Sequence, residues 1–223
     1  MRRTRMLLRP CLLFPLASVF LLVGGCQQAY YGAMEKIGYH KREILVDRVE
    51  DARDAQNDAK EQFRSALERF TSVVQVDGGE LEEKYEKLDA ELQRSEERAS
   101  QVRERIDEVE DVAAALFDEW ESELDQYTNA ELRRKSAQKL RRTRARYEEL
   151  IAAMHRAEGR MDPVLDAFRD QVLFLKHNLN AKAIAALQSE LSTVRGDIEA
   201  LVRDMERSIS EADAFIKTLA END

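Results

Sequence analysis

Residues 81–120 read LEEKYEKLDAELQRSEERASQVRERIDEVEDVAAALFDEW. Apolar side chains recur in this stretch in alternating steps of four and three, with Ser95 as the one polar residue in the series. The series consists of Leu81, Tyr85, Leu88, Leu92, Ser95, Ala99, Val102, Ile106, Val109, Ala113, Leu116 and Trp120. This heptad repeat predicts a helix about 60 Å long, whose narrow apolar stripe must pack against another helix.

A second heptad repeat precedes the first. It runs from Leu45 to Val73 and predicts a helix over about residues 40–76. The segment Asp77-Gly78-Gly79-Glu80 separates the two repeats, and glycine after the last periodic residue commonly ends a helix. Helices joined by so few residues are antiparallel neighbours, so we expect the helix over residues 80–126 to fold back along its predecessor.

Two further boundary signals follow this helical pair. Thr128 and Glu131 have the spacing of a capping box, in which each side chain bonds to a backbone N–H of the new first turn. We therefore predict a tight turn there, with a kink in one continuous helix as the alternative, because the segment contains no Gly or Pro. Asp162 and Pro163 combine an N-cap with a first-turn proline, which predicts that a new helix begins at residue 163.

The C-terminal part of the chain carries a last heptad repeat, from Leu187 to Leu219. Before this repeat, Lys176-His177-Asn178 predicts a helix stop and Asn180 a cap, with a continuous kinked helix as the alternative. The run Val172-Leu173-Phe174-Leu175 is too wide for a single apolar seam. We expect this run to be buried against several helices.

The repeats and the composition together predict the fold class. The 223 residues are 35% charged and include three Pro and eight Gly, a composition typical of long helices. We predict an all-α fold, an elongated antiparallel helical bundle or coiled coil of four to five long helices. This helical coiled-coil domain should occupy residues 40–223.

The N-terminal residues have the features of a secretory signal. Four arginines precede an apolar stretch over residues 12–23, which is shorter than the roughly 20 residues that a membrane span needs. The following residues, LLVGGC over 21–26, resemble the lipobox of bacterial lipoproteins. The resemblance implies cleavage between Gly25 and Cys26 and acylation of Cys26. It divides the N-terminal part into a lipoprotein signal peptide, 1–25, and a membrane-proximal segment, 26–39.

The residue after the predicted lipidation site bears on location. Gln27 rather than Asp follows Cys26. By resemblance to enterobacterial lipoproteins, this favours the periplasmic face of the outer membrane. Several acyl chains on Cys26 would make a stable anchor, whereas a single chain would be marginal.

Net charge argues against one class of partner. Four of the 35 basic residues and none of the 44 acidic residues precede Cys26, so the chain from Cys26 onward would carry 31 bases against 44 acids, a formal net charge of −13. Nucleic-acid binding needs a positive surface, so we expect no nucleic acid as partner. The glycine spacing also lacks the pattern of a nucleotide-binding loop.

Charge is distributed in blocks. Residues 104–125 are strongly acidic, whereas residues 129–146 are rich in bases. The bases, here called the basic block, are Arg133, Arg134, Lys135, Lys139, Arg141, Arg142, Arg144 and Arg146. We favour intrachain pairing of the two blocks across the predicted turn, since opposite charges select antiparallel partners. The alternative is a site for lipid headgroups, lipopolysaccharide or another anion.

Residue patterns that would indicate catalysis or metal binding are missing. His40, His155 and His177 have no Glu three residues before them, so the ligand pair of di-iron bundles is absent. Zinc-type cysteine pairs, zinc-protease helices and nucleophile elbows are also missing. We therefore expect no enzyme activity, no metal and no cofactor.

Three stretches resemble a known family: YYGAMEKIG over 30–38, HKREILVDRVEDAR over 40–53 and DQVLFLKHNLNA over 170–181. They are similar to proteobacterial lipoproteins catalogued as domain of unknown function 2959. The resemblance extends over essentially the whole chain after Cys26. It implies no activity, ligand or catalytic residue.

These observations favour a non-enzymatic, lipid-anchored periplasmic coiled-coil protein, an envelope structural or adaptor element. We expect the membrane to hold it through Cys26, and a protein partner or a second copy to bind leftover seam positions. The alternative is a membrane-interacting bundle. In that alternative the basic block and the apolar segment 172–179 engage a bilayer.

Overall fold

The computed structural model describes residues 40–75, 80–178 and 181–220. Within these ranges four α-helices follow one another: α1 Lys41–Gln75, α2 Leu81–Leu124, α3 Ala130–His177 and α4 Ala181–Ala220. The predicted signal peptide, the cleavage site Gly25–Cys26 and the membrane-proximal segment lie outside the described residues. Nothing in the structure therefore bears on those predictions.

The helices form an antiparallel four-helix bundle. Each helix packs against the next one in the chain, and α4 also packs against α1, which closes the bundle. Ion pairs join neighbouring helices, for example Arg64–Glu206 at 2.7 Å between α1 and α4, and Arg169–Glu96 at 2.6 Å between α2 and α3. The predicted all-α bundle is confirmed, and among the described residues the helices number four.

The heptad seams make up the core of this bundle. Every seam position of α2 from Leu88 to Leu116 is buried, including Ser95. Rings also meet across the centre, since Phe70 of α1 and Phe168 of α3 stand edge to face with centroids 6.1 Å apart. These seam positions of α2 therefore pack inside the bundle, and along this stretch no seam is left over for a partner.

α3 passes through Pro163 without a break, so the predicted helix start at this residue is wrong. A proline inside a helix provides no N–H for the carbonyl of Gly159 and costs about 3 kcal/mol. Both Pro163 and Gly159 are exposed, so solvent can hydrate that carbonyl. Met161 and Phe168 are buried on either side of the proline. Burial of this continuous stripe outweighs the lost hydrogen bond.

A turn over residues 125–129 separates α2 from α3, so the kinked-helix alternative is wrong. The cap of α3 is Asn129 rather than the predicted Thr128. Its Oδ1 accepts hydrogen bonds from the backbone N–H groups of Glu131 at 2.9 Å and Leu132 at 3.1 Å. Asn is among the strongest N-cap residues, and it fixes the helix start one residue later than the capping box would.

The predicted stop before the last helix is confirmed. α3 ends at His177, and the Asn178 side chain donates a hydrogen bond to the carbonyl of Phe174 at 2.9 Å. The proposed cap Asn180 lies outside the described residues. The expectation for the preceding apolar run is wrong in part, because Val172 and Leu175 are buried but Leu173 and Phe174 are exposed.

Two polar side chains in the core have no hydrogen-bond partner among the described residues. They are Gln56 of α1, at both atoms of its amide, and Ser208 of α4. Both side chains are fully buried. Gln62, on the same helix, differs because its Nε2 donates to the Glu91 carboxylate at 2.8 Å. An unpaired buried amide lowers stability, whereas a paired one contributes to it.

We expect Gln56→Leu to raise the free energy of unfolding by about 1–3 kcal/mol, because an apolar side chain of similar size replaces an unpaired amide. Chemical denaturation of the two proteins measures this change. Gln62→Leu is the matched control and should lower stability, since it removes a partner of the buried Glu91. Destabilisation by both substitutions would contradict the prediction.

His155 links α2 and α3 through two carboxylates. Its Nε2 lies 3.0 Å from Glu110 and its Nδ1 lies 2.8 Å from Glu158. Partial burial of the ring lowers its pKa, but the hydrogen bonds and charges of Glu158 and Glu110 outweigh this effect. The net result is a pKa above the ordinary 6.5.

A raised histidine pKa stabilises the fold below the unfolded pKa of about 6.5, and this contribution is lost as pH rises through the folded pKa. We therefore expect His155→Asn to lower the melting temperature at pH 6 and to change it little at pH 9. Thermal unfolding at the two pH values checks this. Glu110→Gln should shrink the same pH dependence, and an equal loss at both pH values would refute the linkage.

Candidate functional site

The two ends of the bundle differ in sequence and in structure. At the proximal end, α1 begins, α4 ends and the α2–α3 turn is formed. Lys41 pairs there with Glu119 at 2.9 Å, and Arg42 donates a hydrogen bond to the carbonyl of Leu219. At the distal end, α1 and α3 end and α2 and α4 begin.

A hairpin tip projects from the proximal end. We define it as residues 118–139, a stretch of α2, turn and α3 in which no residue is buried. The last buried residue before it is Phe117 and the first after it is Leu140. Trp120 is half-buried. Its Nε1 donates a hydrogen bond to the Ser136 hydroxyl at 2.8 Å, which links the two helical segments of the tip. The tip therefore extends past the four-helix core as a helical pair.

Large apolar side chains are exposed only near the two ends, among the residues that the structure describes. Tyr127 is 42% exposed and Leu132 is 51% exposed, and both belong to the hairpin tip. Leu173 is 44% exposed and Phe174 is 42% exposed, and both lie near the distal end of α3. We call Leu173 and Phe174 the distal apolar pair.

Part of the basic block forms ion pairs with acidic side chains. Across the turn, Arg133 lies 2.6 Å from Asp125 and Arg144 lies 2.7 Å from Glu121. Within α3, Lys135 pairs with Glu131 at 2.9 Å and Arg146 pairs with Glu149 at 2.7 Å. The bases without an ion pair to any described residue are Arg134, Arg141 and Arg142. Intrachain pairing thus explains only part of the block.

A basic groove of about 680 Å³ lies beside the tip. It is lined by Lys135, Gln138, Lys139, Arg142, Ala145, Arg146, Glu149 and Thr218. The groove forms because α4 ends at Ala220. The N-terminal part of α3, which begins at Ala130, extends beyond that point. Among the described residues four bases and one acid line it, and the acid, Glu149, is paired with Arg146.

A second charged cluster lies on α1 and α2 and has a structural role. The Glu91 carboxylate is almost fully buried and accepts a hydrogen bond from Gln62. Arg94 lies 2.7 Å from it and Arg69 lies 3.8 Å from it. Because a buried carboxylate needs such partners, this cluster satisfies Glu91.

The described helices contain no group of three or more His, Cys, Asp or Glu side chains that could hold a metal ion. In the same part of the chain, none of the helices combines the length and the hydropathy that a membrane crossing requires.

The two segments proposed to engage a bilayer lie at opposite ends. The basic block begins at Arg133 in the hairpin tip, whereas Leu173 lies near the far end of the same helix. At 1.5 Å per residue the two positions are about 60 Å apart. A bundle that stands on one end can therefore bring only one of the two segments to a flat membrane, whereas both could contact it only if the bundle lay along the surface.

Tyr127 and Leu132 were not predicted as surface features, although the sequence carries a signal for them. α3 begins at Ala130, but its apolar seam begins only at Leu140. A helix without a seam has no core to join, so its apolar residues remain exposed. Similarly, Leu173 and Phe174 fall between the seam positions Val172 and Leu175.

Comparison with known proteins gives a family and no function. No curated protein matches the sequence. A family model described as "Protein of unknown function (DUF2959)" matches residues 30–219, a range that includes nearly all of the four helices. The predicted family membership is confirmed: the chain belongs to the DUF2959 family.

Proposed function

We propose that this protein is a non-enzymatic, lipid-anchored adaptor on the periplasmic face of the outer membrane. In this proposal the bundle is a spacer that holds the distal apolar pair away from the anchor. The observation that carries the proposal is the exposure of Leu173 and Phe174 at the end of the bundle opposite to the start of α1.

The anchor part of the proposal is supported by the sequence around Cys26. The lipobox-like LLVGGC supplies an acylated cysteine as the first residue after cleavage. Several acyl chains bind a membrane stably. The chain between Cys26 and Lys41 can span at most about 50–54 Å, since each residue adds at most about 3.3–3.6 Å. The proximal end of the bundle is thus tethered within that distance of the membrane.

The spacer part is supported by the packing of the bundle. α3 has 48 residues and is therefore about 70 Å long. Its stripe is buried through most of its length, with Leu150, Met154, Met161 and Phe168 in the core. Closely packed helices resist bending, so the two ends stay at a fixed separation.

The adaptor part is supported by the distal apolar pair. Leu173 and Phe174 are neighbours in sequence, are more than 40% exposed and lie off the seam. Transfer of such a side chain from water into a protein interface contributes about 1.5–3 kcal/mol when burial is complete. Paired apolar residues at the end of a charged rod are suited to insert into a hydrophobic pocket of a partner.

We expect a photo-crosslinking residue at position 174 to give one discrete adduct in intact cells. An aromatic crosslinker replaces Phe174 with little change in shape, so the surface is preserved. Leu173→Ser in the same protein should remove the adduct, because it halves the apolar contact. Gel mobility and mass analysis of the adduct identify the partner, and twice the mass of the chain would identify a second copy.

The same crosslinker at Glu199 provides the control, since Glu199 is exposed on α4 away from both ends. The anchor is tested separately by palmitate labelling, which should be present in the native protein and absent in Cys26→Ala. Equal crosslinking at positions 174 and 199, or no adduct at position 174, would refute the adaptor. Absence of label on the native protein would refute the anchor.

A further inference from the structure

The outermost part of the hairpin tip carries two exposed apolar side chains. Tyr127 lies in the turn and Leu132 lies in the first turns of α3. Tyrosine places an apolar ring and a polar hydroxyl at the boundary between lipid and water, and leucine adds apolar area beside it. This combination is typical of a segment that inserts shallowly into a membrane interface.

The basic groove continues from this tip along α3. Lys135, Lys139, Arg142 and Arg146 recur in steps of four, three and four, so they form a row on one face of the helix. The row is about 17 Å long at 1.5 Å per residue. Arg134 and Arg141 add two more exposed bases next to it. A row of this kind attracts anionic headgroups, at about 1 kcal/mol per base near the surface, which is about fivefold in affinity.

The acids of the tip lie mainly on α2 and are partly neutralised. Asp125 and Glu121 pair with Arg133 and Arg144, at 2.6 and 2.7 Å. On α3, Glu131 pairs with Lys135 at 2.9 Å. The tip thus has an acidic side on α2 and a basic side on α3, and the groove is on the basic side.

The covalent tether lets the tip and the acyl chains share one leaflet. Lys41 pairs with Glu119, so the start of α1 is level with that part of α2. From Glu119 to the end of α2 at Leu124 the helix extends about 8 Å further. The segment between Cys26 and Lys41 can span about 50 Å, which exceeds the length of this projection several times.

We propose that the hairpin tip and the basic groove bind the anionic lipid leaflet that holds the Cys26 acyl chains. Tyr127 and Leu132 enter the interface, and the bases of α3 contact lipid phosphates. This inference rests on the lipid anchor of the proposed function. It adds a second membrane contact, which fixes the orientation of the bundle instead of leaving it to rotate about its tether.

The test uses the acylated protein in vesicles of phosphatidylethanolamine and phosphatidylglycerol. Cys26 is the only cysteine after the leader, and acylation blocks its thiol, so one introduced cysteine can be labelled uniquely. Thr128→Cys places an environment-sensitive fluorophore in the exposed turn beside Tyr127 and keeps Tyr127 and Leu132 intact. We expect lipid-borne quenchers to remove most of its fluorescence.

Ala185→Cys provides the distal control, because Ala185 is exposed near the start of α4. Its fluorescence should be unaffected by the quenchers. Equal quenching at both positions would mean that the bundle lies flat, and no quenching at position 128 would mean that the tip stays in water. Either result overturns the proposal. Crosslinking of the tip to a protein in cells, without quenching in pure lipid, would assign the surface to a protein and overturn it as well.

A second measurement separates the tip from the anchor. The Cys26→Ser protein, produced without residues 1–25, has neither leader nor acyl chain, so its sedimentation with vesicles reports the contacts of the bundle itself. Arg134→Gln with Arg142→Gln should weaken its binding about 30-fold at low salt, from the loss of two bases. The matched control is Arg195→Gln with Arg207→Gln, which removes two exposed bases of α4 and should leave binding unchanged.

The outcomes of this measurement distinguish the two proposals. Binding of Cys26→Ser supports the tip even if palmitate labelling of the native protein fails. Equal weakening by both arginine pairs would reduce the effect to overall charge and overturn the specific site. Inorganic phosphate at matched ionic strength should not compete, and complete competition would identify a phosphate-ion site rather than a lipid surface.

Discussion

Burial of four apolar seams against one another is the constraint on which the rest of the structure depends. A heptad stripe is too narrow to be stable on an isolated helix in water, so each helix needs neighbours on either side of its stripe. Closure of α4 onto α1 provides these neighbours for all four helices. The contact of Phe70 with Phe168 shows that the seams meet at a common centre. The sides of the bundle are left to charged residues, and Arg64–Glu206 is one of the ion pairs there.

Unequal helix lengths convert this closed core into a molecule with two different ends. α2 and α3 have 44 and 48 residues, whereas α1 and α4 have 35 and 40. The longer pair cannot be covered by the shorter pair, so a hairpin without a core projects at the proximal end. The basic groove is the step that results where α4 stops beside α3. The hairpin tip and the basic groove thus both follow from where the helices end rather than from any special loop.

The fold could be predicted in outline because its main determinant is periodic. The seams of α1 and α2 and the turn between α2 and α3 follow from spacing and from capping residues. The predicted helix start at Pro163 is wrong because this local signal competes with the apolar stripe on both sides of the proline. Burial of the stripe stabilises the helix by more than the loss of one hydrogen bond destabilises it. The sequence could not distinguish Asn129 from Thr128 as the cap of α3, because both residue types are good N-caps and the two positions are adjacent.

The candidate site was less predictable, since exposure depends on which helices stop early. The run Val172–Leu175 was expected to be buried on composition, yet only its seam positions Val172 and Leu175 are. Strict use of the heptad would have placed Leu173 and Phe174 outside the core. The basic block was expected to pair with the acids of α2, and Arg133 and Arg144 do so. Lys135, Lys139, Arg142 and Arg146 line the groove, whose existence depends on the end of α4 and cannot be read from the block itself.

If the proposed anchor holds the protein at a membrane, the basic groove and the rest of the bundle interact with the lipid differently. The chain after Cys26 has an acidic excess, whereas the described residues that line the groove include four bases and one paired acid. An anionic leaflet would therefore attract the basic groove and repel the acidic surfaces of the bundle. Electrostatic repulsion decays over about 8–10 Å at physiological ionic strength. It therefore acts strongly on a bundle whose long axis is parallel to the membrane and weakly on one whose axis points away from it. In the proposed membrane-bound state the row from Lys135 to Arg146 runs about 17 Å along α3, so its bases reach the lipid together only if the bundle tilts towards the groove while its opposite end stays away from the leaflet.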